Sequence, residues 1–445
     1  MSNQPYTIAL LHWGDLIEDF LDTIGVNFEG FCNEMSGGWM FGYIEALKLA
    51  NVRTVLFCIS ARVNEPVRHT HKPTGATICV LPAPKLYQVV RRPMLQPYGW
   101  TIKEVFGDVS GIRRHLLAVL RDAAPYLATP ILHLARELRR EGCQAILCQE
   151  YEYGRFDVCV LLGRLINLPV FATFQGGDFQ LSRWERFLRP LTLSACAGLV
   201  VATQTEAQRL QSHYNFPSAK IARIFNPMDV AHWHKHDFTQ ARTTLNIPLD
   251  AQVVVYHGRI EIYRKGLDIL MDAWQHICQQ RPDRDLRLLL VGTGSDAEKL
   301  AQLIAEKQLP GVIWKNEYIR DRHTIQLYLS AADVYTLPSR HEGFPVAPIE
   351  AMSCSLPIVA TNAPGVPDIL PNGELSGGII VPREDSTALA QALGFILDNP
   401  TWGQELGKRA RDRAETAFSL EAIGQQLREF LSIQIDSGKD YERIS

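Results

Sequence analysis

Short apolar runs recur along this chain and alternate with stretches in which apolar residues return every three or four positions. The runs at 6–12, 52–59, 76–81, 145–149, 170–174 and 199–203 read as buried strands. So do those at 252–256, 287–291, 312–314, 334–337, 357–360 and 379–382. Helical spacing occupies 43–47, 112–120, 131–140, 232–245 and 324–331, with two helices expected between 383 and 417 and another apolar stripe over 420–433. Strand and helix alternate through two successive blocks, which predicts an α/β chain of two doubly wound, Rossmann-like domains facing a cleft. The polar segment 232–245 marks the crossing. The expected domains are therefore 1–230 and 231–415, with a terminal helix over about 416–445 packing back on the first.

The most informative stretch follows the apolar run 334–337. Glu342 falls in a loop after that strand and Glu350 in the helix beyond it, and Pro345 suits a first helical turn because a missing N–H costs nothing there. If the intervening residues were all helical, the two acids would be about 12 Å apart. They can then hold two ends of one elongated polar ligand. The free amides of Gly343 and Phe344 would face anionic or hydroxyl oxygens.

Glu342 and Glu350 stand in the setting Pro338-Ser339, Glu342-Gly343-Phe344, Glu350-Ala351-Met352 and Leu356-Pro357-Ile358-Val359-Ala360-Thr361. That context resembles retaining glycosyltransferases of family four (group 1), which have the GT-B fold. A strand running into Gly258-Arg259 and then Lys265-Gly266 is similar to the family's diphosphate-holding pattern. A guanidinium fork and an ammonium are suited to phosphate oxygens. The resemblance implies that Glu350 binds ribose hydroxyls, that Glu342 binds sugar hydroxyls, and that Arg259 and Lys265 stabilise the departing diphosphate. It also places Gly292 and Ile319 beside the nucleotide, together with Gly343, Phe344 and Pro345. Two cations and helix amides already neutralise the leaving charge, so no metal or other cofactor is expected.

The first half is less regular. Gly37 and Gly38, ahead of a helical pattern, would let backbone approach the donor diphosphate. In the family such a turn comes soon after the first strand, whereas here residues 13–36 intervene, rich in acids and aromatics. This segment reads as an elaborated loop over the acceptor side that includes Asp15. Gln175 and Asp178 follow another strand end and are also assigned to the acceptor side. Many family members have a histidine at the position of Gln175, and glutamine cannot carry its proton. Asn226-Pro227-Met228-Asp229 resembles the turn that ends the family's first domain, with proline in place of glycine.

Charge changes the picture in one place. The whole chain has a formal net charge of −3, yet residues 48–140 carry fifteen Lys or Arg against five Asp or Glu, a net of +10. Together with the mixed basic and apolar segment 85–95, this suggests peripheral contact with an anionic membrane and a lipid or lipid-linked acceptor. A solvated basic face is the alternative. Nucleic acid is not expected, because no recognised binding motif accompanies the charge. The nine cysteines show no paired metal spacing and sit mostly in apolar runs, which predicts reduced core thiols and a cytoplasmic setting. No apolar run reaches the roughly 18 residues of a membrane span.

The activity expected is transfer of a hexose from a nucleotide diphosphate sugar to an acceptor hydroxyl. A sugar nucleotide epimerase of the same architecture and a non-catalytic sugar nucleotide-binding subunit are the alternatives.

Overall fold

The computed structural model describes residues 6–35, 38–99, 101–174, 182–319 and 321–442. The chain forms two compact units. Met1–Ala202, Glu206–Pro227 and Ile423–Ser445 make the first, and Thr203–Thr205 with Met228–Ala422 the second.

The first unit is built on eight strands: β1 (Tyr6–His12), β2 (Val52–Ser60), β3 (Val67–Thr70), β4 (Thr77–Pro82), β5 (Ala145–Gln149), β6 (Val170–Thr173), β7 (Gly198–Val201) and β8 (Ile221–Arg223). Their order is β3-β4-β2-β1-β5-β6-β7-β8, parallel except for β3. Alternate residues of each strand feed two cores, as the pleat requires. Ala9 and Leu11 join one cluster, Ile8 and Leu10 the other. The second cluster is closed by the helix Leu420–Glu442, which inserts Ile423, Leu427, Leu431 and Ile435 at four-residue spacing. Gly424 makes that approach possible, since a Cβ there would lie 2.0 Å from the Ala46 carbonyl oxygen.

The second unit has six parallel strands: β9 (Gln252–His257), β10 (Leu286–Val291), β11 (Val312–Lys315), β12 (Val334–Leu337), β13 (Ile358–Thr361) and β14 (Gly378–Val381). They are ordered β11-β10-β9-β12-β13-β14. Counted within the unit this is 3-2-1-4-5-6, and the order reverses between β9 and β12. Near-continuous apolar runs suit a sheet covered on both faces.

Several expectations need correction. Residues 13–36 do not form a plain loop: Leu16–Leu21 is a π-helical turn and Phe28–Asn33 a short α-helix, capped by the Asn27 side chain accepting from the Gly30 N–H. The edge strand β3 was not anticipated. The helix expected at 112–120 runs from Gly111 to Leu127 and carries Pro125 within it. The crossing 232–245 holds only the helix Phe238–Thr244, preceded by a 3-10 turn. The segment 85–95 contains the helix Lys85–Arg91. Among the described residues, no helix is long and apolar enough to cross a membrane. Eight of the nine thiols are buried, and all nine are free.

Candidate functional site

In the second unit, the ends of β9, β10 and β12 bring most of the singled-out residues together. β9 runs into Gly258 and β10 into Gly292, both with positive φ (150° and 133°). A Cβ on Gly292 would lie 2.0 Å from the Gly258 carbonyl oxygen, so the two turns pack backbone to backbone. The Gly258 N–H donates to the Val291 carbonyl at 3.0 Å and the Ile260 N–H to that of Thr293 at 3.1 Å. These bonds fix where His257 and Arg259 emerge.

Beyond Arg259 a single helical turn, Ile262–Lys265, ends at Gly266 in the left-handed conformation. Only glycine fits, because a Cβ would sit 2.0 Å from the Pro338 carbonyl oxygen at the end of β12. The close approach aims Lys265 at the loop after β12. Its ammonium lies 2.7 and 2.9 Å from the two Glu342 oxygens. Ser339, fully buried, donates its hydroxyl to Glu342 Oε1 at 2.6 Å, and Thr361 on β13 donates to the Ser339 carbonyl. Arg264, the neighbouring base, is exposed.

Arg340 is a structural clamp. It is buried, forks onto Asp268 with two bonds of 2.7 Å, reaches Glu384 at 2.6 Å, and donates to the Tyr263 carbonyl. Its own N–H donates to the Arg264 carbonyl at 3.0 Å. The loop bearing Glu342 is thereby tied to the turn bearing Lys265. These neighbouring carboxylates and the hydrogen bonds to them hold the Arg340 guanidinium charged even more firmly than usual.

Glu350 lies in the helix Ala347–Ser353, and its Oε2 is 2.6 Å from His257 Nε2. This helix begins two residues later than Pro345; Pro348 takes the early proline position instead. Gly343, Phe344 and Pro345 therefore belong to the loop, and the expected helix-start amides are loop amides. The loop rests against the Gly365 turn, where a Cβ would come 2.3 Å from the Gly343 carbonyl oxygen.

Arg259 is not drawn into this cluster. Its side chain is 67% exposed and, among the described residues, pairs with Glu261 at 3.2 Å. Ile319 stands half-buried after the edge strand β11, which lies three places from β12 in the sheet. Pattern reading did not assign a role to His257, Ser339 or Arg340. The usable signal was position alone, since each lies at the end of one of the two strands where the order reverses.

The first unit has its own reversal point, between β1 and β5, and it is sealed. Arg155 donates to the carbonyls of His12 and Gly14 at 2.7 and 2.6 Å and to Asp15 at 3.3 Å. Tyr87 donates to the other Asp15 oxygen, and the Asp15 N–H donates to the Tyr98 hydroxyl. Asp15 is thus committed to internal partners rather than open to an acceptor. Burial drives the His12 pKa down to about 3, assisted by the Arg155 charge, although a backbone hydrogen bond with Gly14 opposes it. Trp13 stacks on Tyr153 at 4.5 Å, with Tyr98 edge-on. Gly38 opens the helix Gly38–Leu49, whereas Gly37, Gln175 and Asp178 lie outside the described residues.

A cavity of about 490 Å³ lies at the opposite end of the second sheet, lined by Gln252, Asp333 and Pro357, away from these groups. Among the described residues no cluster of three or more His, Cys, Asp or Glu is placed to hold a metal ion.

Two family profiles match: "Glycosyltransferase Family 4" over residues 95–232 and "Glycosyl transferases group 1" over residues 251–399. The D-inositol 3-phosphate glycosyltransferase of Corynebacterium diphtheriae is 28% identical over 72% of this chain and 81% of its own length. The alpha-maltose-1-phosphate synthase of Mycolicibacterium smegmatis is 26% identical over 56% of this chain and 66% of its own. Other curated relatives are matched over little more than half their length, such as 55% for a Corynebacterium glutamicum D-inositol 3-phosphate glycosyltransferase. Among solved structures, the sucrose-phosphate synthase of Thermosynechococcus elongatus superposes with a TM-score of 0.65 at 21% identity, over 97% of this chain and 100% of the other. Anabaena HepE in complex with UDP gives 0.65 at 16%, over 96% and 100%. Both have the GT-B arrangement of two Rossmann-like bodies. With the two profiles together spanning well over half of its length, the chain belongs to the family 4, group 1 glycosyltransferases and is a glycosyltransferase.

Proposed function

We propose that this glycosyltransferase is a retaining hexosyltransferase taking a nucleotide diphosphate sugar as donor and a hydroxyl as acceptor. The carrying observation is the convergence of Glu350 with His257, and of Glu342 with Lys265, at the strand ends where the second sheet reverses its order. Glu350 has one oxygen engaged by the imidazole and accepts from the ribose hydroxyls with the other. Glu342 accepts from sugar hydroxyls. Lys265 shifts part of its hydrogen bonding from Glu342 to the diphosphate, and Arg259, itself exposed and paired with Glu261, turns onto the same group. These cations favour the charge that grows as the sugar C1–O bond breaks. The departing phosphate oxygen takes the acceptor proton while the acceptor oxygen bonds C1 on the same face, which retains the configuration. We propose that no metal takes part.

The complexes of HepE with UDP and with UDP-glucose support a nucleotide sugar donor. For the acceptor, the basic tract supports a lipid or lipid-linked hydroxyl. The relatives named for D-inositol 3-phosphate favour a second reading, a phosphorylated small alcohol. A panel of nucleotide sugars with each acceptor class, read by mass detection and by the anomeric configuration of the product, tests the proposal. Acceptor-dependent release of nucleoside diphosphate with retained configuration is expected, and chelator should leave the rate unchanged. An epimerised donor without acceptor would establish epimerisation, and binding without turnover would leave a sensor.

A further inference from the structure

The first sheet is covered on one face by the helices Gly111–Leu127, Ile131–Arg140, Gly154–Ile166 and Arg183–Ala195. Ala124, Leu134, Phe156 and Leu193 from these helices share one buried cluster with Ala9 and Leu11 of β1 and Cys148 of β5. Charge is sorted between the two sides of this layer. Every acid in the four helices is buried: Asp122, Glu137, Asp157 and Glu185 all point inward. Asp157, for example, is held by Arg189 through two bonds of 3.0 Å.

The outer side carries arginine instead. Arg113, Arg114, Arg164, Arg183 and Arg186 are exposed, as are Arg136, Arg139 and Arg140, and none of them forms an ion pair among the described residues. Large apolar side chains stand among these bases. Ile112 (90% exposed), Leu116 and Val119 line one side of the first helix. Phe187 (73%), Trp184 and Leu191 do the same on the last, and Leu161 and Leu165 lie on the helix packed beside it. Soluble surfaces intersperse charges of both signs and expose apolar residues singly. This one does neither.

We propose that the outer face of this helical layer is a docking surface for an anionic lipid bilayer. Leucine, isoleucine, tryptophan and phenylalanine side chains gain by entering the boundary between headgroups and acyl chains, and arginine heads stay at the level of the lipid phosphates. Nucleic acid would match the charge but offers little to the aliphatic chains. The surface takes in Arg113, Arg114, Arg136, Arg139 and Arg140 of the basic tract 48–140 and leaves out the paired bases of that tract. Arg53 and Arg68 pair with Glu141, and Arg91 pairs with Asp19 at 2.6 Å, so these bases are committed within the fold. On the segment leading into the first of these helices, the exposed Asp108 pairs with Lys103.

Flotation with vesicles of phosphatidylcholine alone, or mixed with phosphatidylglycerol, tests this without reference to activity, so its failure is distinct from failure of the transfer reading. The full chain should float only with the mixed vesicles and less as salt rises. Arg183→Glu/Arg186→Glu should lower partitioning by about 10- to 100-fold, and Trp184→Ser/Phe187→Ser should lower it at every salt concentration. Lys299→Glu on the second unit should not. Unchanged thermal midpoints keep the variants interpretable. No flotation with mixed vesicles overturns the proposal, as does flotation that survives both double substitutions. A Trp184→Ser/Phe187→Ser variant that becomes monomeric yet still floats also overturns it, because the apolar face would then serve self-association.

Discussion

The two sheets reverse strand order in the same way and use the reversal point differently. In the first unit, His12, Asp15 and Arg155 are nearly inaccessible, and Arg155 ties the His12 carbonyl to the Asp15 carboxylate. In the second, Glu342 is as closed, its side chain 5% exposed between Lys265 and Ser339, but Lys265 is 15% exposed, Glu350 is half-buried, and Arg259 is largely in solvent. A charge whose partners all belong to the fold stabilises a shape. A charge that stays reachable can exchange its partner for a ligand.

The sharpest way to break this contrast is Arg155→Met. Removing one member of a buried pair leaves Asp15 uncompensated, and the expected loss is about 3–5 kcal/mol in urea unfolding. A loss of activity without loss of stability would mean that the sealed site also handles substrate. Lys265→Ala should add a catalytic loss to a structural one. Glu342 loses its ion-pair partner but keeps the Ser339 hydroxyl, so stability falls less than in Arg155→Met, while kcat/KM falls about 10- to 100-fold, the worth of roughly 1.5–3 kcal/mol for a bond to a charged group. Wild-type turnover would remove Lys265 from the reaction.

The two acids sharpen the comparison within the second unit. Glu350→Gln should weaken free nucleoside diphosphate about tenfold in calorimetry, at the low end of a charged hydrogen bond. Glu342→Gln should spare the free nucleotide and lower turnover of the sugar donor; equal losses in both variants would refute the division. A last expectation concerns pH, where the effect per unit is small. His12 titrates near 6.5 when unfolded and at about 3 when folded, so the unfolded chain binds the extra proton between these values. Stability present above pH 6.5 should therefore be lost as pH falls, by at most about 1.4 kcal/mol per pH unit from this group. His12→Gln should flatten that slope.

Much of this was legible from sequence, because buried parallel strands are local apolar runs and their order of appearance implies the winding. The run at 252–256 and the strand β9 differ by one residue. The clustering of the candidate site was legible where its groups follow strand ends closely, as Glu342 and Lys265 do. Asp15 misled because an acid after a strand looks the same whether its partner is a ligand or an arginine 140 residues away. Strand β3 was missed because four residues including Arg68 and His69 show no apolar run, which is how an edge strand avoids further pairing.

The helix Leu420–Glu442 has a consequence in time. It completes the first unit's second core, but roughly 200 residues of chain separate its start from the end of β8. At a synthesis rate of about 5–20 residues per second, that sheet face waits on the order of 10–40 s for its cover. The second unit can fold during that interval, so the unit begun first is finished last. Nascent chains halted near residue 420 should bind chaperones through the uncovered face, and release should come only once Ile423, Leu427, Leu431 and Ile435 have left the ribosome.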